Sequence, residues 1–303
     1  MTAGLTSRLT PALGRVRREL RRRNRLGRRW LMRARLDFQD VRSGKRDPLL
    51  PPRRLNLPSQ IAAIGDRLVA LMKEQGGLDE QSAVLDIGCG PGRVAAPLTR
   101  FLGPTGRYEG FDVMPKSINW ATKAITSRHP NFRFQLADIE NGEYNPKGTQ
   151  RASEYVFPYG DDSFDVAVAA SLFTHLVPFE SERYLAETAR TLKPGGRIVG
   201  TWFLLNEESE SALERGVVQP PGLFSEQRPA LKLEYHLTDE RGNPFRSFNK
   251  EIPEFMIAVP EADVRALHEQ AGLRIVETFY GRWAGREDDG LIGQDVIVAE
   301  LPA

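Results

Sequence analysis

Short apolar runs alternate with stretches of helical spacing from about residue 60 to the end of the chain. The runs are rich in strand-favouring residues, and the stretches between them have the period of amphipathic helices. This succession of strand and helix predicts an α/β domain. The predicted strands cover residues 84–87, 107–112, 132–137, 162–170, 198–204, 273–280 and 294–301. The predicted helices cover residues 59–74, 115–127, 180–189 and 261–271.

Residues 84–98 contain the most specific local pattern. A short apolar strand carries Asp86, and three glycines follow at alternate positions, Gly88, Gly90 and Gly92. Glycines permit positive φ and let a ligand approach bare backbone, so the pattern predicts a strand, a tight ligand-binding turn and a helix. A dinucleotide fingerprint has a different glycine spacing, and Asp86 would repel a pyrophosphate. A cationic or polar ligand is therefore predicted, with a turn that binds nothing as the alternative.

Two more acidic residues end predicted strands. Asp112 ends the second strand about 20 residues after the last glycine of the turn. A carboxylate there can accept hydrogen bonds from both ribose hydroxyls of an adenine nucleoside, with Val113 and Met114 along the adenine face. Asp138 ends the third strand. Both acids are candidates for contact with the ligand. The alternative for Asp112 is a solvent-facing loop position, and the alternative for Asp138 is a position that caps a turn.

The fourth predicted strand, residues 162–170, ends in an uninterrupted apolar run, which is typical of a central parallel strand buried on both faces. Ligands of open α/β sheets lie beyond the carboxyl ends of the strands, near the point where the winding direction reverses. Residues 171–176 are therefore expected to face the reacting group. Between strands three and four, Tyr144, Tyr155 and Tyr159 either form part of a substrate wall or pack the loop down.

In this order, the motifs of residues 60–301 resemble those of class I S-adenosylmethionine (SAM) methyltransferases. The resemblance rests on the D-x-G-x-G-x-G turn, the acids that end strands two and three, the fourth strand, and Leu-Lys-Pro-Gly-Gly at residues 192–196. It implies an α/β, Rossmann-like, doubly wound seven-stranded sheet, mostly parallel with a reversed last strand, and SAM as the cofactor. Arg93 departs from the small hydroxyl residues common at its position and receives no role. The residues assigned to the cofactor are Asp86, Gly88, Cys89, Gly90, Gly92, Asp112, Val113, Met114, Asp138, Ile139, Ala170 and Ser171.

The resemblance implies methyl transfer, and His175 is the candidate catalytic residue. An imidazole titrates near neutral pH and can take the proton of an acceptor hydroxyl, whereas packing or helix capping is the alternative role. We expect O-methylation of a small molecule, a saccharide or a lipid-linked acceptor. N- or C-methylation of a small metabolite or a protein, and a non-catalytic scaffold, remain alternatives. No metal is expected, because there is no Cys/His cluster and Glu180 and Glu182 lie too far into a helix.

Four segments are expected. Residues 1–54 form a basic arm with a Pro-rich linker, 55–205 the SAM-binding core, 206–259 a cap inserted over the substrate cleft, and 260–303 the helix and strands that complete the sheet. We predict a cap because residues 206–259 lack the regular alternation of strand and helix and are longer than an ordinary loop.

The net charge of +2 conceals a strong asymmetry. Residues 1–54 contain 17 Lys and Arg against four Asp and Glu, and the rest of the chain is acidic. A basic amphipathic helix over residues 9–38 would dock on a protein surface, on an anionic membrane or on nucleic acid, or act as a transit peptide. A nucleic-acid acceptor is not expected, because the fourth strand ends in Ala-Ser-Leu-Phe. One cysteine favours a reducing, cytoplasmic setting, with membrane association as a peripheral protein.

Overall fold

A computed structural model describes residues 35, 38, 39, 42, 48–51, 61–216, 233–286 and 293–303. The basic helix expected over residues 9–38 and the start of the helix expected at residue 59 fall on positions outside this set, apart from single residues. The described residues from 49 to 51 and from 61 to the end of the chain belong to one compact unit, which contains every element named below. Within the described part, no helix has the length and hydropathy needed to cross a bilayer.

The described elements follow the predicted order. The strands are β1 (Ala83–Ile87), β2 (Arg107–Asp112), β3 (Phe132–Leu136), β4 (Phe164–Ala169), β5 (Leu192–Trp202), β6 (Leu204–Leu205), β7 (Tyr235–Thr238), β8 (Pro244–Ser247), β9 (Ile257–Pro260), β10 (Arg274–Phe279) and β11 (Asp295–Glu300). The helices are α1 (Ile61–Glu74), α2 (Ala95–Leu98), α3 (Pro115–Ala121, continued by a π-helical turn to Thr126), α4 (Pro178–Thr191), α5 (Glu207–Glu214) and α6 (Glu261–Gln270). Three-residue 3₁₀ turns occupy 152–154, 173–175, 253–255 and 282–284.

Seven strands form the main sheet, in the order β10-β11-β5-β4-β1-β2-β3. β11 runs antiparallel to both of its neighbours, and the pairs β1–β2, β1–β4, β2–β3 and β4–β5 are parallel. The predicted mostly parallel sheet with a reversed last strand is therefore confirmed. The winding direction reverses between β1 and β4, and such a switch point brings two strand ends together as the walls of a crevice.

Both faces of the sheet are covered, which explains the continuous apolar runs of its central strands. Alternate residues of β1 point to opposite faces, so that Val84 packs in the cluster of Leu68 and Met72 from α1. Leu85 lies in the other cluster, with Leu185 from α4. All five residues of β1 are buried, which fixes the strand whose carboxyl end carries the glycine turn.

Two predicted elements differ in extent. The helix after the glycine turn is only four residues long, Ala95–Leu98, and it contains Pro97, which has no N–H for the helical ladder. The Leu-Lys-Pro-Gly-Gly motif at residues 192–196 lies within β5, beside an irregularity in its pairing with β4. Leu192 pairs with Phe164, and the ladder resumes at Arg197.

The inserted region after β5 contains helix α5 and a second sheet of order β6-β9-β8-β7. A separate buried cluster joins side chains of this region to residues 203, 205, 283 and 284, and in it Phe203 contacts the Trp283 ring edge-on at a centroid distance of 5.0 Å. A fully buried carboxylate, Asp295, joins this region to the main sheet. Its Oδ2 accepts hydrogen bonds from the Leu204 N–H (2.8 Å) and from Trp283 Nε1 (2.6 Å).

Replacing Trp283 with phenylalanine tests this junction. The indole N–H bonded to a buried carboxylate is lost, so Trp283→Phe is expected to lower the free energy of unfolding by about 1–3 kcal/mol more than Trp202→Phe. Trp202 is an apt control because it is equally buried, while its Nε1 has no hydrogen-bond partner among the described residues. Urea unfolding of both variants gives the comparison, and equal losses would show that the Asp295 bond contributes nothing.

Candidate active site

The carboxyl ends of β1 and β4 meet at the switch point of the sheet. The Leu172 side chain, just after β4, lies so close to the glycine turn that a Cβ on Gly88 would be 3.0 Å from its Cδ1 atom. Arg93 Nη2, at the end of the turn, donates a hydrogen bond of 2.8 Å to the carbonyl of Ala170. The two segments that the sequence marks for cofactor and chemistry are therefore in direct contact.

The glycine turn is anchored at its base and bare at its tip. The Gly88 and Cys89 N–H groups both donate to the Phe111 carbonyl, each at 3.0 Å. Gly90 has φ +53°, and no described atom lies within 4 Å of the position that a Cβ would take there. Gly92 has φ +93°, and a Cβ on it would lie 2.6 Å from Ile125 Cδ1. Glycine is thus required for packing at position 92 and leaves exposed backbone at position 90.

Asp112 ties the glycine turn to the end of β2. Its buried carboxylate accepts the Gly90 N–H on Oδ2 and the Met114 N–H on Oδ1, each at 2.8 Å. Burial raises the pKa of Asp112, and these backbone hydrogen bonds oppose the rise. Each carboxylate oxygen has a second lone pair, so it retains capacity for hydroxyl donors.

Asp86, in β1 just before the glycine turn, has a buried carboxylate that can accept hydrogen bonds. Tyr108 donates its hydroxyl hydrogen to Oδ2 at 2.6 Å, whereas Oδ1 has no hydrogen-bond partner among the described residues. Burial raises the pKa of Asp86 to about 7, and the positive charge of Arg93 acts in the opposite direction. A buried carboxylate oxygen without a partner is costly, and a polar or cationic ligand would satisfy it.

The remaining predicted cofactor residues lie at the same edge in different environments. Val113 and Met114 are partly exposed, and Cys89 and Ile139 are buried. Burial raises the pKa of the Cys89 thiol, which makes it a poor nucleophile. The exposed Asp138 carboxylate accepts a hydrogen bond from the Thr149 hydroxyl at 2.6 Å. Their assignment to the cofactor stays a prediction.

Ser171 begins the segment after β4 in an unusual conformation. Its φ is +57°, a left-handed backbone that is costly for a residue with a Cβ and that occurs often at functional sites. Its N–H donates to Thr201 Oγ1 at 2.6 Å, and its hydroxyl donates to Gln294 Oε1 at 2.8 Å. Gln294 also donates to Thr174 at 3.4 Å. These bonds fix both ends of the turn that leads to His175.

The imidazole of His175 has one defined tautomer. Nδ1 lies 2.7 Å from the main-chain carbonyl of Glu254, in the inserted region. A carbonyl only accepts, so Nδ1 carries the hydrogen and Nε2 of the neutral ring is an acceptor. Burial lowers the pKa of His175 to about 4, and Arg93 adds to this effect. At neutral pH the ring is therefore uncharged, with Nε2 able to take a proton.

The three tyrosines between β3 and β4 lie in different environments. Tyr144 is 40% exposed, and its ring meets His175 edge-on at a centroid distance of 5.0 Å. Tyr155 is buried in the core, and Tyr159 packs against the same cluster. The substrate-wall interpretation is thus wrong for Tyr155, whose ring packs against Phe111, as long-loop aromatics often do.

Two participants carried no sequence signal. Arg93 received no role from the sequence, yet its guanidinium spans from the glycine turn to β4, and Ser171 Oγ lies 3.4 Å from Nη2. The Glu254 carbonyl is a main-chain group, so no residue type could have indicated it. In the described ranges, no three His, Cys, Asp or Glu side chains are grouped so as to hold a metal ion.

Comparison with known families identifies this arrangement. A family model described as a methyltransferase domain matches residues 85–200, which include the glycine turn, Asp112, Asp138 and the segment after β4. Residues 85–200 of the chain therefore form a class I SAM-dependent methyltransferase domain. SAM is accordingly the cofactor. The bare backbone at Gly90, the unpartnered oxygen of Asp86 and the acceptor capacity of Asp112 fit a cationic adenine nucleoside of this kind.

Two curated relatives of this chain are bacterial proteins. Methyltransferase GfsG of Streptomyces halstedii is 31% identical over 140 residues, 46% of this chain and 44% of that protein. The phthiotriol/phenolphthiotriol dimycocerosates methyltransferase of Mycobacterium leprae is 33% identical over 117 residues, 38% of this chain and 35% of that protein. The chain thus matches less than half the length of either relative.

Among solved structures, a protein of Pyrococcus horikoshii superposes with a TM-score of 0.51 at 16% identity. The superposition covers 82% of this methyltransferase and 93% of that chain. At this identity the likeness shows the fold alone.

Proposed function

We propose that this protein transfers the methyl group of SAM to a hydroxyl of a small molecule, a saccharide or a lipid-linked acceptor. The observation that carries the proposal is the neutral His175 imidazole, whose acceptor nitrogen Nε2 lies in the segment that contacts the glycine turn. A hydroxyl acceptor must lose a proton, whereas a neutral amine or thioether would need no such base at the moment of bond formation.

The residues of the site would divide the work. Asp86, Gly90 and Asp112 would hold the cofactor, together with the other residues that the sequence assigns. SAM supplies an activated methyl group when it is bound. The strained turn from Ser171 to His175 would place the base against the acceptor, and positioning of this kind accounts for much of the rate in group transfer.

The inserted region is proposed to form the acceptor side of the site. Residues 206–259 supply the Glu254 carbonyl that orients His175, so the insertion reaches the predicted base. We base on this contact the proposal that residues 55–205 are the core, residues 206–259 a cap, and residues 260–303 the part that completes the sheet. The acceptor named for the mycobacterial relative is a triol, which supports a hydroxyl and a lipid.

Binding and turnover together test the proposed function. Calorimetry on the full-length protein measures SAM and S-adenosylhomocysteine affinity, and the same sample is then incubated with labelled SAM and fractionated polyol, glycan and lipid extracts. We expect micromolar binding and label in an alkali-stable ether of one fraction. Label in an amine or on carbon would show N- or C-methylation instead. Binding without label in any fraction would favour a non-catalytic scaffold.

The basic arm is proposed to hold the cytoplasmic enzyme at an anionic membrane or protein surface. Residues 1–54 carry a large positive excess, and basic segments gain binding energy at anionic lipid surfaces. Deletion of residues 1–40 is therefore expected to reduce pelleting with vesicles of phosphatidylserine and phosphatidylcholine, while SAM affinity is retained. Vesicles of phosphatidylcholine alone are the control. Equal pelleting of both forms would remove the membrane role.

A further inference from the structure

The position of Tyr144 is set by the same loop that contacts His175. Asn141 Oδ1 accepts the main-chain N–H groups of Glu143 (3.2 Å) and Tyr144 (3.0 Å), which turns the chain. The side-chain amide of Asn141 then donates to the carbonyl of His175 at 3.1 Å. Asn141 therefore holds the main chain of Tyr144 and that of His175 at a fixed distance from each other. The contact between their two side chains follows from these hydrogen bonds.

The two side chains meet at the nitrogen that a base would use. The Tyr144 hydroxyl lies 3.3 Å from His175 Nε2, and the ring planes are nearly perpendicular, at 86°. Since Nδ1 is committed to the Glu254 carbonyl, Nε2 accepts and the hydroxyl donates. Burial raises the pKa of Tyr144 to about 12, so the phenol keeps its proton at neutral pH.

We infer that Tyr144 is a second catalytic residue, which takes the proton of the acceptor hydroxyl and passes its own proton to His175 Nε2. This inference rests on the proposed O-methyltransferase function. The phenol already covers Nε2, and its 40% exposure leaves the tyrosine accessible to an acceptor on the other side. The acceptor hydroxyl thus meets Tyr144 first, with His175 behind it.

The relay balances in protons and electrons. The O–H bond of the acceptor breaks and its proton goes to the Tyr144 oxygen, while the O–H bond of Tyr144 breaks and that proton goes to Nε2. The imidazole becomes imidazolium, and Tyr144 ends as it began. The electron pair left on the acceptor oxygen would form the new O–CH₃ bond, and SAM, held by Asp86, Gly90 and Asp112, would supply the methyl group, with the electron pair of its S–CH₃ bond left on sulfur.

The surrounding charges bear on both members of the relay. Arg93 lowers the pKa of Tyr144 and so favours transient negative charge on its oxygen, whereas Glu143 and Asp112 act in the opposite direction. Arg93 also disfavours the imidazolium of His175. The hydrogen bond from His175 Nδ1 to the Glu254 carbonyl favours the charged ring and outweighs the effect of Arg93, while burial, the largest cause, keeps the pKa of His175 low.

Tyr144→Phe removes the relay hydroxyl and keeps the ring. We expect kcat to fall about tenfold, the loss of one hydrogen-bonded transfer step, while the Kd for SAM stays within twofold. Tyr280→Phe is the matched control, because it removes a hydroxyl that donates to Glu261 at 2.7 Å beside α6. This variant is expected to turn over at the wild-type rate.

A measurement without turnover tests the geometry separately. The chain has four histidines, and the Nε2 signal of His175 in ¹⁵N NMR is assigned as the one missing in His175→Gln. Without SAM or acceptor, Tyr144→Phe should move this signal toward that of an unbonded acceptor nitrogen, and Tyr280→Phe should leave it in place.

The outcomes are separable. An unchanged Nε2 signal, or an unchanged or higher kcat in Tyr144→Phe with active wild-type enzyme, overturns the relay and makes Tyr144 a cover over a base that acts directly. Wild-type protein that binds SAM and methylates no hydroxyl overturns the proposed function, and the relay falls with it.

Discussion

Substitution of His175 by alanine is expected to lower kcat by about 10²- to 10⁴-fold, the usual contribution of a positioned general base. The Kd for SAM should change little, because the hydrogen bonds of the His175 ring to described residues are with the Glu254 carbonyl and the Tyr144 hydroxyl. Labelled-methyl turnover at saturating SAM measures kcat, and calorimetry measures affinity. A kcat within threefold of the wild-type value would reduce His175 to a packing residue.

The pH profile separates a catalytic His175 from a structural one. Only the neutral imidazole accepts a proton, so activity is present above the pKa of His175 and lost below it. Burial puts that pKa at about 4, and kcat at saturating SAM should stay level from pH 8 to about pH 5 before it falls. A decline centred near pH 6.5 would show an imidazole with the ordinary pKa, in contact with water.

His175→Gln is the matched control for lost volume. An amide of similar size retains a donor for the Glu254 carbonyl but cannot serve as a base near neutral pH. Its kcat should therefore be as low as that of His175→Ala, while its thermal stability should be closer to that of the wild type. Recovery of turnover in His175→Gln would show that orientation, and not proton transfer, is what the position supplies.

Substitution of Asp112 by alanine is expected to weaken SAM binding by about 1–3 kcal/mol, or roughly 5- to 150-fold in Kd. Two losses combine in this variant. The acceptors predicted for the ribose hydroxyls disappear, and the Gly90 and Met114 N–H groups lose their partner, which loosens the turn itself. Calorimetric titration with SAM and with S-adenosylhomocysteine measures the effect, which should be similar for both ligands because they share the ribose.

Asp112→Asn separates the two losses. The amide keeps the shape of the side chain but has one acceptor oxygen, so it cannot accept from both N–H groups. Its affinity should lie between those of the wild type and Asp112→Ala. Asp66→Ala, which removes an exposed carboxylate paired with Arg100, should leave the Kd unchanged. SAM affinity unaltered in Asp112→Ala would remove Asp112 from the ribose site.

The fold was predictable because its signals are local and repeated. Each central strand is buried on both faces and therefore carries an apolar run, and each turn at the carboxyl edge needs glycine or an acid at a fixed place. Gly92 illustrates this, since its φ of +93° lies in the region that strains any residue with a Cβ. The last strand was also recognisable, although its reversed direction came from the family resemblance and not from the pattern.

The interior of the site was less predictable, because its key contacts join distant parts of the chain. The Glu254 carbonyl lies 79 residues from His175 in sequence, and Arg93 lies 77 residues from Ala170. Tyr144 lies in a loop that contains two other tyrosines, and the sequence does not distinguish the three. The structure does so, because Tyr155 and Tyr159 pack against the core. A main-chain acceptor and a long flexible cation leave no periodic pattern to detect.

His175 is oriented by a main-chain oxygen of the inserted region, so its chemistry does not depend on which amino acid occupies position 254. The tautomer depends on where the chain passes at position 254, and any amino acid there presents the same carbonyl. Lineages can therefore diversify the side chains of this region toward new acceptors while the base keeps its state. A region grafted from one enzyme to another would therefore need the same backbone path at residues 253–255, and the identity of its amino acids would matter less.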